Sequence, residues 1–110
     1  MTKKILSEFI GTAFLLMLIV GSGIMGESLS NDEGLVLLAN ALATGAGLTA
    51  LIYLFEPLSG AHFNPVVSLL MLLKKEIKFL DFIYYIAAQI TGAIIGVILA
   101  NLMFNLPAIE

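Results

Sequence analysis

The stretch Ser59-Gly60-Ala61-His62-Phe63-Asn64-Pro65-Val66-Val67 decides how this chain folds. Asn64 and Pro65 stand at the head of an apolar run, Val66 to Leu73, that is too short to cross a bilayer. At about 1.5 Å per residue, the roughly ten residues from Asn64 to Leu73 cover only about half of a ~30 Å hydrocarbon core. Asn is a favoured helix cap, and Pro at the first helical position loses no hydrogen bond because that amide is unpaired anyway. A helix that starts near mid-membrane aims its free amides and positive dipole end at whatever lies there, which makes sense in lipid only beside a cavity or pore. The plain alternative is an Asn-Pro turn closing a surface helix. The shortness of the run and the placement of the lysines argue against it.

Composition sets the surroundings. Of 110 residues, 60% are hydrophobic and 12% charged, with no Trp, Cys or Arg. A soluble domain carries about a quarter charged residues, so this chain has too little polar surface to cover itself and is an integral membrane protein. Without cysteine there are no disulfides, thiolate ligands or thiol nucleophiles, and one histidine builds no zinc site. No metal, cofactor or covalent catalysis is expected. The net charge of −3 leaves no basic face for nucleic acid.

Three segments reach the ~20 apolar residues of a spanning helix: about Ile5 to Met25, Leu35 to Phe55 and Phe82 to Phe104. The first follows Lys3 and Lys4, as a signal peptide would. Glu8 interrupts its apolar start, however, the run is long, and no small-x-small cleavage pattern follows, so it is expected to remain as a membrane helix. The five basic residues are Lys3, Lys4, Lys74, Lys75 and Lys78, whereas the connection after the first span holds Glu27, Asp32 and Glu33. Positive residues mark the cytoplasmic side. This predicts a cytoplasmic amino end in a plasma (inner) membrane. It also makes residues 65–73 a re-entrant half-helix, with the loop Glu56 to Phe63 descending into the protein. The fold class is thus an all-α membrane protein of three transmembrane helices plus one re-entrant half-helix.

Small residues mark close helix approach. Ala88, Gly92, Gly96 and Ala100 form a four-residue repeat in the third span; Ala39, Ala43 and Gly47, with Gly45 nearby, do so in the second. Asn40 and Gln89 are polar groups within spans and need internal partners. Glu8 is an intramembrane carboxylate that either snorkels to the cytoplasmic edge or accepts hydrogen bonds from the descending loop around Ser59 to His62. On these features alone three classes stay open. The first is half of a pore or binding site. The second is a small dimeric multidrug or cation exporter with Glu8 as its carboxylate, which predicts four full spans. The third is a non-transporting assembly or anchor subunit.

At Ser59-Gly60-Ala61-His62-Phe63-Asn64-Pro65 the chain resembles the major intrinsic proteins, the aquaporin and aquaglyceroporin family. Glu8-Phe9-Ile10-Gly11-Thr12 is similar to that family's first-helix motif, Thr44-Gly45-Ala46-Gly47-Leu48 to its second and Ala88-Gln89-Ile90-Thr91-Gly92-Ala93 to its third. The resemblance implies a channel of six spans and two half-helices, each opened by Asn-Pro-Ala, for water or small uncharged solutes. It assigns Asn64 a side-chain donor at the narrow midpoint, Pro65 the half-helix start, and the carbonyls of Gly60, Ala61 and His62 an acceptor ladder, with Glu8 and Ser59 bracing the loop. Val66 stands where the family usually has Ala, and tolerated repacking is expected. Thr44 occupies a position that gives many members an aromatic ring in the outer filter, so a wider, more polar filter passing glycerol-like or metalloid hydroxide solutes is expected. The second Asn-Pro motif and the family's filter arginine have no counterpart in these 110 residues. The expected unit is therefore a single half-channel repeat, residues 1–110, that needs a second half-channel chain to conduct, or else a non-conducting truncated fragment. An antiparallel homodimer is disfavoured by the one-sided lysines. A tetramer of complete channels is the family's usual assembly.

Overall fold

A computed structural model describes residues 2–104 as four helices in the order α1 (Thr2–Leu29), α2 (Glu33–Ser59), α3 (Pro65–Leu73) and α4 (Phe79–Met103). Three of them, α1, α2 and α4, are long and apolar enough to cross a membrane. The nine residues of α3 are not, at about 14 Å. The four full spans of the exporter reading are therefore not found among the described residues.

Each helix begins and ends for a local reason. Asp32 caps α2, its side chain accepting from the amides of Gly34 and Leu35. α2 runs further than the expected span: Glu56 to Ser59 are helical, with Pro57 inside the last turn. The descending loop is thus only residues 60–64 rather than Glu56 to Phe63. Pro57 sits so close to the end that the bond it cannot donate belongs to the final turn, and the true stop is Gly60 at φ +88°, whose amide closes on the Glu56 carbonyl. α4 starts a turn earlier than its apolar run, with Asp81 in the first turn where the helix dipole favours an acid.

α1 packs against both α2 and α4, and α3 packs on α4. The α1–α4 seam is made by backbone approach. A Cβ on Gly92 would run into the Phe9 carbonyl oxygen and one on Gly96 into that of Ala13. Ala88 and Ala100 are buried on the same stripe. On α2, Gly47 makes room for the side chain of Leu18 on α1. Gly45 does not: nothing lies within 4 Å of a Cβ built there. Two residues along a helix turn the side chain by about 200°, so Gly45 and Gly47 cannot serve one contact, and Gly45 is no packing position within the described chain. Asn40, a polar residue within a span, finds partners inside. Asn40 Nδ2 donates to the Ile19 carbonyl at 2.8 Å and to Ser22 Oγ at 3.2 Å.

The burial pattern is inverted relative to a water-soluble domain. Among the described residues the largest fully buried side chains are Gln89, Glu8, Thr12 and Ser68, whereas Leu37, Tyr53, Val66 and Leu73 are each at least 70% exposed. Apolar surface facing outward and polar groups facing inward suit a lipid solvent. The molecule is an integral membrane protein.

Candidate functional site

The loop of residues 60–64 has an unusual backbone. Gly60, Ala61 and Phe63 all lie in the left-handed region, at φ +88°, +52° and +55°. For Ala61 and Phe63 that costs about 1–2 kcal/mol each. The offset comes from Glu8, which is fully enclosed. Its Oε2 accepts from Ser59 Oγ at 2.5 Å and from the His62 amide at 3.2 Å. Its Oε1 accepts from the Phe63 amide at 2.9 Å and from Gln89 Nε2 at 2.9 Å. Hydrogen bonds to a charged acceptor contribute about 1.5–3 kcal/mol apiece, enough for three from the loop segment to outweigh two strained residues.

Further contacts clamp the segment from outside. The Tyr85 hydroxyl donates to the Ser59 carbonyl at 2.7 Å, and Ser59 Oγ accepts from the Ala61 amide at 3.2 Å. The rings of His62 and Tyr85 lie 4.8 Å apart, and Phe63 meets Phe55 edge-on at 5.9 Å. Phe63 also fills the notch left by Gly11, where any Cβ would strike its ring. α1, α2 and α4 thus all hold this loop.

These contacts leave defined groups free. No hydrogen bond among the described residues ends on the carbonyls of Gly60, Ala61 or His62. Asn64 is extended at φ −153°, and its Oδ1 accepts from the Val66 amide at 2.8 Å. Its Nδ2 carries no bond to the described residues. The side of the loop therefore offers bare acceptors followed by one bare donor. Asn64 and Pro65 are exposed, Val66 is 70% exposed, and Thr12, Phe63 and Gln89 join Asn64 and Pro65 around a groove of about 250 Å³.

The structure brings Glu8, Ser59, Gly60, Ala61, His62, Asn64 and Pro65 together. Thr44 lies apart on α2, half-buried, its Oγ1 enclosed without a hydrogen-bond partner. Ser68 and Tyr85 belong to the cluster but were not singled out from the sequence. Ser68 follows Asn64 by four residues and Tyr85 precedes Gln89 by four, so helical spacing from two flagged residues could have found both. Among the described residues no group of three or more His, Cys, Asp or Glu could hold a metal ion.

Comparison with known proteins gives the family. Residues 1–108 match the model of the major intrinsic protein family. The chain is 46% identical over its whole length to aquaglyceroporin AqpS of Rhizobium meliloti (strain 1021), covering 47% of that protein. It is 37% identical to aquaporin A of Dictyostelium discoideum and 39% identical to glycerol uptake facilitator protein-like 6 of Lactiplantibacillus plantarum. Each of these matches takes in 86% of this chain, and 34% and 40% of the respective relatives. The chain spans less than half the length of these relatives. It belongs to the major intrinsic protein family.

Proposed function

We propose that this chain is one half-channel repeat of a passive pore for water and small uncharged solutes. The observation that carries the reading is the loop of residues 60–64: the carbonyls of Gly60, Ala61 and His62 and Asn64 Nδ2 have no partner among the described residues, while the amides of Gly60, Ala61, His62 and Phe63 are taken by Glu56, Ser59 and Glu8. A solute passing such a row exchanges hydrogen bonds with water for hydrogen bonds with protein, whereas an ion recovers too little of its hydration energy from neutral groups. Pro65 starts the half-helix, whose dipole opposes cations. Glu8 and Ser59 hold the loop in register.

The lysine distribution supports a cytoplasmic amino end and a plasma (inner) membrane location. With that orientation the carbonyl ladder would lie on the cytoplasmic side of Asn64. The exposed faces of α2 and of the half-helix support a second Asn-Pro repeat packed against this one, on the same polypeptide or another, and complete channels assembling as tetramers. Thr44 in place of an aromatic ring supports a wide filter. Relatives named aquaglyceroporin and glycerol uptake facilitator point the same way, toward glycerol-like or metalloid hydroxide solutes.

The deciding measurement is osmotic: liposomes containing this chain, alone and with a second repeat, are mixed with hypertonic sucrose and then glycerol while light scattering is followed. Fast shrinkage followed by glycerol-driven reswelling is expected only when both repeats are present. Fast flux from this chain alone would remove the need for a second repeat, and water flux without glycerol flux would remove the solute assignment.

A further inference from the structure

We propose that the face of α1 turned away from the loop seats one anionic phospholipid, with an acyl chain in the groove on either side of Leu6 and the headgroup phosphate at Lys3. The seat is independent of the pore reading.

Two grooves run down α1 from the end that carries its lysines. One, of about 480 Å³, lies between α1 and α4 and is lined by Thr2, Ile5, Phe9, Tyr84 and Ala87. The other, of about 300 Å³, lies between α1 and α2 and is lined by Lys3, Ser7, Ile10, Phe55 and Leu58. Leu6 belongs to both walls and is 54% exposed, so it stands as a ridge between them. Leu6 and Glu8 are two residues apart, a turn of about 200° around the helix axis. Glu8 binds the loop amides, so the ridge faces away from the loop. Along α1 the grooves run from Thr2 to Phe9 and from Lys3 to Ile10, each about 10 Å long. Two channels of equal length, starting one residue apart, match the two tails of a single lipid.

Polarity is graded in the same direction. The hydroxyls further in are turned back on their own helices: Ser7 Oγ donates to the Lys3 carbonyl and Thr91 Oγ1 to the Ala87 carbonyl, each at 2.7 Å. The hydroxyls of Thr2 and Tyr84 bond to no described residue. Thr2 stands at the mouth, and the Tyr84 ring leans toward it because helical side chains point back toward the helix start. Lys3 and Lys4 are exposed, and the first turn of α1 holds no acid. Five lysines gather at this end of the molecule against Glu56, Glu76 and Asp81, whereas the connection at the other end carries Glu27, Asp32 and Glu33 and no base. Lipid tails are as apolar as the groove walls, so the walls alone would accept any lipid. The headgroup is selected at the mouth, where one lysine is worth about fivefold in affinity for an anionic lipid.

The chain has no tryptophan, so Ile83→Trp gives a single fluorescent reporter one residue before Tyr84, at a position 46% exposed. The full chain is placed in liposomes with rising fractions of brominated phosphatidylglycerol or brominated phosphatidylcholine. Phosphatidylglycerol should quench the reporter at about fivefold lower mole fraction. Lys3→Gln should remove that preference, as should Ala87→Phe, which fills the larger groove from an exposed position. Lys75→Gln, outside both grooves, should leave it. Equal quenching by the two lipids, or a preference lowered as much by Lys75→Gln as by Lys3→Gln, would overturn the seat in favour of diffuse surface charge. A reporter that neither lipid quenches would overturn it by giving this face to a protein neighbour. Unbrominated phosphatidylglycerol should displace the quencher better than its one-tailed lyso form; equal displacement would overturn the two-groove arrangement.

Discussion

Two helices of this chain start on a short polar cap, α2 in the connection between two spans and α3 at the groove lined by Asn64 and Pro65. At the start of α2, Asp32 Oδ1 accepts from the Gly34 and Leu35 amides at 2.9 and 3.2 Å, and Ser30 and Glu33 stand beside it. At the start of α3, Asn64 Oδ1 accepts one amide at 2.8 Å, and Pro65 removes another donor altogether. Both ends solve the same problem of unpaired helix amides. Only the α2 start uses a full charge. Lined by Glu27, Glu33 and Asn40, a hollow of about 560 Å³ opens beside Asp32, and carboxylates there keep their hydration. At Asn64 a neutral amide caps the helix and still has a free NH₂. The single buried carboxylate nearby, Glu8, has four donors on its two oxygens. A charge is accepted inside only where protein donors replace its water.

That contrast can be tested by moving the charges. The largest effect is expected from Glu8→Ala, which strips the acceptor from two loop amides, the Ser59 hydroxyl and Gln89. Loss of more than about 3 kcal/mol is expected, read as a lower midpoint for thermal unfolding in detergent micelles, with early proteolysis within residues 60–64. An unchanged midpoint would show that the left-handed loop needs no anchor. Asn64→Asp comes next. It keeps the cap oxygen but places a charge at mid-membrane, at a cost of about 2.5–3.5 kcal/mol, and removes the Nδ2 donor. Solute flux should collapse while Asp32→Asn, the opposite exchange at the α2 cap, conducts as before. Equal flux in the two variants would place Asn64 outside the conduction path.

Gly92→Val should follow, at about 1–3 kcal/mol. It pushes α4 away from the Phe9 carbonyl and separates Gln89 from Glu8, so it disturbs the α3 start and leaves the α2 start alone. Chemical crosslinking between α1 and α4 should fall in step with stability; a stable variant with unaltered crosslinking would mean the seam has slack. Asp32→Asn itself should shift stability by less than about 0.5 kcal/mol, because Asn and Asp cap almost equally well.

Much of this could be read along the chain. The half-helix expected at 65–73 is the helix observed at Pro65–Leu73, because Asn-Pro specifies a start by backbone chemistry and Lys74 follows the last apolar residue. The three spans were recognisable from apolar length, although α1, α2 and α4 extend beyond the lipid-sized runs, since a helix does not stop where the membrane does. The loop was drawn too long at Glu56 because Pro57 reads as a breaker, yet in a last turn it breaks almost nothing. Gly45 was grouped with Gly47 by proximity, and only the facing of α2 toward Leu18 separates them. Ser68 carried no sign of its importance, being one hydroxyl in an apolar run.

What the sequence determined by itself was local and compositional. An apolar surface, a short helix with a neutral cap and the offsets between small residues all follow from properties of neighbouring positions. The tertiary structure alone decided which groups meet. Glu8 lies 51 to 81 positions from the donors it binds, and periodicity orients a side chain about its own helix axis without saying which other helix it faces or at what height. The donors and acceptors left free in the loop are the remainder after those long-range pairings are made, so the site's chemistry could be counted only once the helices were in place.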